Sequence, residues 1–412
     1  MRHNLQHPPY LESDRQADML IKNGHYLIPD QSGFARGDIK VVGGTIQTIR
    51  SDISPEPGER VIEADGCIVT PGLADYHVHA FKHGHILSVD IEELAPRTGV
   101  TTFVDAGSVG GLHFQAFRKF VIDQTPLHLF AYLNISAIGQ TTSGIRGLDV
   151  HDFDRPNLVN LPLAEEIIEK NRDVIIGIKM RAYTGLGNLE PLRETRKLAD
   201  RFGLPIMVHT APGPPEISDV LALLRDGDVI THPYHGGDDN LLGADGRIRP
   251  EYLDARDRGI KVDLGMDRFH CDLTVMKKAF DQGYYPDYIS TDITLTNMNS
   301  VLFDLPTTVS KCVACGLSLE ESLRRCTETV TDKIGKPHLD ARIREGNTAD
   351  LAVFKWEETG TDLVDFFGNR LTGQPRLSNV ATILKGELLE HQQTDLTILN
   401  SVQTAVPWDN YT

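Results

Sequence analysis

Pro71-Gly72-Leu73-Ala74-Asp75-Tyr76-His77-Val78-His79 closes an apolar run that includes Ile68-Val69-Thr70. On a β-strand, residues two apart point to the same face, so the imidazoles of His77 and His79 can converge on one point. Imidazole is the commonest protein ligand for divalent transition metals, and a strand end bearing His-x-His supplies half of a metal site. Taken alone the pair also fits chance, so its meaning depends on what the later strands carry.

From residue 67 onward, short β-rich runs alternate with amphipathic segments. The expected strands are 67–70 leading into His77-Val78-His79, then 101–106, 128–136, 174–182, 205–210, 229–234, 260–266 and 288–293. Several, such as Val174-Ile175-Ile176-Gly177-Ile178, are almost continuously apolar. That is the pattern of parallel strands covered by helices on their outer face. Helical patterns lie between them at 114–122, 163–170, 189–202, 217–224 and 273–282. A further helix begins near Ser318, where Ser318 and Glu321 have capping-box spacing. Eight strand–helix units over roughly 250 residues match a (β/α)8 TIM barrel better than an open sheet.

The flanks have a different texture. Asp38-Ile39-Lys40-Val41-Val42 and Thr45-Ile46-Gln47-Thr48-Ile49 are split by Gly43-Gly44, a hairpin pattern. Ala349-Asp350-Leu351-Ala352-Val353-Phe354 and Val380-Ala381-Thr382-Ile383-Leu384 repeat it near the C-terminus. Each flank is short for a core of its own. The expected organisation is therefore an α/β protein with one small β-sandwich-like domain built from both chain ends. Residues 18–66 and 341–395 supply that domain, and residues 67–340 form the barrel.

Composition narrows the partners. The chain has 412 residues, 40% hydrophobic and 24% charged, an ordinary globular balance. The net charge of −17 argues against nucleic acid or an anionic membrane as a partner. No apolar run approaches the roughly 20 residues needed to span a bilayer, and the N-terminus lacks the apolar core of a secretory signal. Five cysteines, one necessarily unpaired, fit a reducing cytoplasm. Cys312 and Cys315 form a lone C-x-x-C in a helical stretch, which suits packing better than metal binding.

Candidate ligands recur at the ends of the expected strands, where barrels place their chemistry. The first ends in His77 and His79, the fourth carries Lys179, the fifth ends in His209, the sixth in His232 and the eighth in Asp292. One histidine on a strand is usually a packed or surface residue. Four histidines and an aspartate, each at the top of a different strand or sharing the first, point to a metal site.

On these residues the chain resembles the amidohydrolase superfamily. The stretch from Pro71 to His79 is similar to that superfamily's opening signature, and Arg344-Glu345-Gly346-Asn347-Thr348-Ala349-Asp350-Leu351-Ala352-Val353-Phe354 to its closing one. Three further stretches resemble its deacetylase-like subgroup, often labelled dihydroorotase: Asp105-Ala106-Gly107-Ser108, Ala131-Tyr132-Leu133-Asn134-Ile135-Ser136-Ala137-Ile138-Gly139 and Asp304-Leu305-Pro306-Thr307-Thr308-Val309-Ser310-Lys311. The similarity covers roughly residues 18–390.

The resemblance implies a binuclear centre. His77 and His79 would hold one metal with Asp292, His209 and His232 would hold the other, and Lys179 would bridge both as a carbamate formed from carbon dioxide. Burial beside cations favours the neutral amine that this reaction needs. The plainer alternative is a salt-bridged barrel lysine, but an unpartnered charge is costly in so apolar a strand. Zinc is the ion expected of such a shell, with manganese, iron and cobalt as alternatives. Asp292 would carry the proton from water to the leaving group.

The function this implies is a metal-dependent hydrolase cleaving an amide or ester of a small carboxylic acid, a deacylase or deacetylase. A cyclic-amide hydrolase of the dihydroorotase or hydantoinase type is the alternative. A non-catalytic barrel used for assembly is a reading of another class, disfavoured by the complete ligand set. Arg181, on the same strand face as Lys179, is placed either to clamp a substrate carboxylate or to pair with a barrel-top acid. Tyr183, Asn134, Asn297 and His235 are further substrate-pocket candidates, and a homo-oligomer is expected.

Two loops depart from the subgroup. After His232 the chain reads Pro233-Tyr234-His235-Gly236-Gly237, where a Cys-aromatic pair is usual. After the seventh strand it reads Gly265-Met266-Asp267-Arg268-Phe269-His270, in place of a Gly-His-Gly. His235, Arg268 and His270 are thus either pocket residues peculiar to this chain or ordinary surface groups.

Overall fold

A computed structural model describes residues 18–390 except 144, 146, 147, 149, 151, 154, 155, 183–187, 211–214 and 299–303. Tyr183 and the terminal tails lie outside the described residues.

Both chain ends meet in one mixed sheet. Its N-terminal strands are β1 (Met19–Leu27), β2 (Phe34–Val42), β3 (Thr45–Arg50), β4 (Arg60–Glu63) and β5 (Cys67–Pro71). β2 and β3 form the expected hairpin across Gly43-Gly44, with Val42 paired to Thr45. The sheet encloses its own core of Met19, Ile21, Ile39, Val41, Ile46, Val69, Leu351, Val353 and Ile383. One expectation shifts: Cys67–Pro71 does not lead a barrel strand but pairs with β1 and with the C-terminal strand at 351–355. Gly72 permits the crossing, since a Cβ there would collide with the Thr101 side chain at 2.2–2.9 Å. The chain passes there from one sheet to the other.

The barrel follows as β6 (Leu73–Val78), β7 (Val100–Gly110), β8 (His128–Asn134), β9 (Ile175–Arg181), β10 (Ile206–His209), β11 (Val229–Thr231) and β12 (Lys261–Asp263), paired in parallel in that order. The eighth segment closes the ring through isolated parallel bridges, Asp263 to Tyr288 on one side and Val78 to Ile293 on the other. Asp292 N–H donates to His77 O at 2.7 Å across this seam.

Alternation along each strand separates two cores. Phe130, Tyr132, Met207, Val229 and Tyr288 fill the barrel interior with Ala74, Tyr76, Val104 and Ala106. Leu129, Leu133, Ile178, Ile206, Val208 and Ile230 face the surrounding helices. Inside, Tyr76 packs on Tyr288 at 4.3 Å and edge-on to Tyr132 at 5.9 Å. The interior is therefore a packed floor; on β10 the inward position after Met207 is His209, in the layer above it, whereas β6 shifts register between Asp75 and Val78 before His79.

The last strands are β13 (Leu351–Val364), β14 (Arg370–Leu384) and β15 (Glu387–Leu388). β13 and β14 extend well beyond the two short runs expected. Together they form a long hairpin whose tip reaches the barrel loops that follow β11 and β12. There the buried Asp365 accepts from Leu273 N–H at 2.8 Å, and Asn369 donates to Asp272 at 3.1 Å. The expected helix near Ser318 is Leu319–Arg324, with Ser318 Oγ accepting from Glu321 N–H at 3.1 Å. Cys312, Cys315 and Cys326 are buried free thiols, which supports the packing reading of the C-x-x-C.

Candidate metal centre and active site

Strand register assembles the site. Lys179 is level with Met207 and Arg181 with His209; His209 is level with Thr231 and Thr231 with Asp263. His209 therefore sits directly above the Met207 floor, on the inward face. Gly107 makes room for Lys179, since a Cβ there would lie 2.6 Å from the lysine's Cβ and Cγ. His77, His79, Lys179, His209, His232 and Asp292 are all buried.

Distances show which groups meet. Asp292 Oδ1 is 3.1 Å from His79 Nε2 and 3.4 Å from His77 Nε2, and Asp292 Oδ2 is 3.6 Å from His232 Nε2. Lys179 Nζ is 3.3 Å from His77 Nε2. The His209 ring lies 4.5 Å from that of His232 and 4.8 Å from that of His270. His77, His79 and Asp292 offer one ligand atom each within 4.8 Å of one another, and so do His232, His270 and Asp292.

The tautomers explain why such a cluster suits a cation. His77 Nδ1 bonds Asp263 Oδ2 at 2.8 Å, and a carboxylate can only accept, so the proton is on Nδ1. His232 Nδ1 donates to Gly265 O at 2.9 Å for the same reason. His79 Nδ1 bonds Ser108 Oγ at 2.7 Å, and that hydroxyl donates onward to Asp105 at 2.6 Å, so it accepts from the ring. All three Nε2 atoms thus turn lone pairs toward the Asp292 carboxylate, that of His77 also facing Lys179 Nζ at 3.3 Å. His232 Nε2 and Asp292 Oδ1 are buried without a hydrogen bond among the described residues. Lys179 Nζ at His77 Nε2 and His270 Nδ1 at Asp292 Oδ2 offset part of the repulsion among these converging acceptors, but the two atoms left without a donor are completed by a cation, and the set fits a divalent metal.

Protonation agrees with this. Burial, reinforced by neighbouring imidazoles, holds His209 and His232 well below the usual histidine range, so both are neutral, the form a metal requires. Burial brings the Lys179 ammonium down to about 8, with the carboxylates of Asp292 and Asp263 opposing it. Two members of the cluster occupy left-handed backbone, His232 at φ 71° and Asp292 at φ 51°. Such conformations cost on the order of 1–3 kcal/mol each and persist where the surroundings enforce them.

The other expected site residues fare differently. Arg181 Nη1 lies 3.5 Å from Asp152, the barrel-top acid of its alternative reading. The Asn134 amide donates to Gly107 O and accepts from Ser136 N–H. Asn297 donates to Asp292 O at 2.7 Å and to Asp267 at 2.6 Å, bracing the loop that carries Asp292. His235 is buried beside the centre, its N–H donating to His232 O at 3.3 Å.

Sequence reasoning missed Asp263 and the Asp105–Ser108 pair as partners of ligands, and left His270 undecided. His270 stacks on His232 at 4.1 Å and lies 3.3 Å from both Asp267 and Asp292. Asp263 had a signal: an acid inside the apolar run Ile260–Met266 needs a buried partner.

This buried imidazole–carboxylate cluster at the C-terminal end of a parallel barrel defines a class of metal-dependent hydrolases. The chain belongs to the Amidohydrolase family, which matches it over residues 68–387, and it is a hydrolytic enzyme. It is 29% identical to a deacetylase of Agrobacterium fabrum over 86% of this chain and 87% of that protein. It is 27% identical to a deacetylase of Enterococcus faecalis over 91% of this chain and 99% of that protein. Among solved structures, a dihydroorotase superposes with TM-score 0.82 at 26% identity, covering 90% of this chain and 97% of that one. An adenine deaminase superposes with TM-score 0.80 at 26% identity, covering 90% and 99%. No described helix is long and apolar enough to cross a membrane.

Proposed function

We propose that this enzyme is a deacylase that hydrolyses the amide or ester of a small acylated carboxylic acid. The observation that carries the chemistry is the convergence of lone-pair imidazoles on Asp292. The deacetylase relatives, similar over most of both chains, favour an acyl substrate over a cyclic amide.

His77, His79 and Asp292 would hold one ion, and His209 and His232 a second, with a carboxylated Lys179 between them. Zinc suits the imidazole and carboxylate donors. When bound, such ions supply Lewis acidity and lower the pKa of a shared water toward neutrality. The protein's own part is orientation and proton transfer. Asp263, Ser108 and Gly265 O fix the three imidazoles with Nε2 inward. Asp292, held by its N–H to His77 O, is placed to take a proton at a carboxylate oxygen and return it to the departing amine or alcohol.

The substrate reading includes a carboxylate. The five free thiols suit a reducing cytoplasm, and the working form is a homo-oligomer. A panel of N-acetyl amino acids, O-acetyl hydroxy acids and cyclic imides, run with metal-replete enzyme, tests the reading. Hydrolysis of an acylated acid supports it; turnover confined to cyclic imides assigns the runner-up activity instead.

A further inference from the structure

Beyond the cluster around Asp292, one buried histidine on the loop that carries His232 has an unused donor. His235 follows the ligand His232 by three residues and is 2% exposed. Gly237 N–H donates to its Nδ1 at 3.1 Å. That nitrogen is therefore the acceptor, and the ring proton of the neutral imidazole sits on Nε2. His235 Nε2 is buried and has no hydrogen-bond partner among the described residues. A buried N–H left without an acceptor is costly, so native proteins keep one where a water, an ion or a reacting or bound group completes it.

The loop is also held still. Tyr234 O accepts from Asp272 N–H at 2.9 Å. The tip of the β13–β14 hairpin seats Phe367 on Gly236, where a Cβ would stand 3.0 Å from the ring. On the adjoining loop Phe366 meets Phe269 edge-on at 4.4 Å, beside Arg268, itself 9% exposed. The β13–β14 hairpin thus braces both loops. A donor fixed in tautomer and position, with cationic Arg268 on the neighbouring loop, suits an anionic oxygen.

We infer that His235 contacts substrate, donating its Nε2–H to the carboxylate of the acylated acid, and so sets specificity for acids over neutral analogues. The inference rests on the deacylase reading and adds which group reads the carboxylate. The test compares N-acetylglycine with N-acetylglycinamide, which lacks the charge, in wild type, His235→Ala and His235→Gln, whose amide nitrogen can reach the Nε2 position. His235→Ala should lower the acid-to-amide preference in kcat/KM by about tenfold to a hundredfold, mostly through KM. Metal content should stay unchanged, and His235→Gln should regain most of the preference. Equal loss on both compounds, loss of metal, or no change would each overturn the inference. Calorimetric binding of the same two compounds to the metal-loaded proteins reads the preference even if neither is hydrolysed. Failure of the deacylase reading is thereby kept distinct from failure of His235's role.

Discussion

Asp263 Oδ2 lies 2.8 Å from His77 Nδ1, so a carboxylate on the seventh barrel strand sets the orientation of an imidazole on the first. Asp263 is fully buried and also accepts from Thr231 at 2.7 Å and from Ser290. Partners of this kind fix the tautomer of a metal-binding imidazole and raise its basicity. Asp263→Asn keeps the shape but can present an amide N–H to Nδ1, forcing the ring proton toward Nε2. Metal affinity should fall about 10–100-fold, measured by competition with a chelator, while the circular dichroism spectrum stays that of wild type. Unchanged affinity would remove Asp263 from this role.

Asp292 is assigned both ligation and proton transfer. Asp292→Asn keeps the size of the side chain and removes the basic oxygen, so turnover should drop by at least about a hundredfold, the lower end of what a positioned acid–base group contributes. The melting temperature of the metal-free variant should change little, because Asp292 Oδ1 makes no hydrogen bond among the described residues and the asparagine amide oxygen can keep the 3.3 Å contact with His270 Nδ1. Full activity in this variant would refute the assignment.

Lys179 carries a chemical prediction. With its ammonium brought down to about 8, an appreciable fraction is the nucleophilic amine near neutrality, and rising pH increases it. Bicarbonate should accelerate recovery of activity when metal-free protein is reloaded, more strongly at pH 8 than at pH 6.5. Mass spectrometry of the native holoprotein should show the added mass of one carbon dioxide, absent in Lys179→Met. Recovery indifferent to bicarbonate, with no mass shift, would leave Lys179 an ordinary buried lysine.

His85 sets a pH dependence of stability. It is buried on the loop after β6, its ring 5.9 Å from that of His79. Burial, with a smaller push from His79, brings its pKa down to about 3 from 6.5. Between those values the unfolded chain binds a proton that the folded one refuses, so stability rises with pH across the window. The contribution is present above pH 6.5 and is lost as pH falls toward 3, to a total on the order of 5 kcal/mol at 1.36 kcal/mol per unit. Urea midpoints measured at pH 7 and pH 4.5 should separate less in His85→Gln than in wild type. An equal separation would contradict this.

Much of this was legible in the primary sequence, for physical reasons. Period-two alternation places Met207 and His209 on one face whatever surrounds them, so a residue such as His209 could be placed above the barrel floor from pattern alone. Strand length and helix spacing likewise announced a parallel barrel. What pattern could not show was partnership between distant strands. Nothing local links Asp263 to His77, 186 residues apart, or tells that His270 stacks on His232. The Cys67–Pro71 strand misled because its apolar run reads alike in either sheet, and only pairing with Leu351–Lys355 decides which. The long hairpin was hidden because β13 and β14 lose their apolar character toward Val364 and Arg370, where the strands leave the small core.

The central claim is that lone-pair imidazoles and Asp292 gather around metal. Elemental analysis of protein purified without chelator measures it directly. The account predicts about two divalent ions per chain, falling when His77, His232 or Asp292 is replaced. Fewer than one tightly held ion per chain, with hydrolytic activity intact, would contradict it.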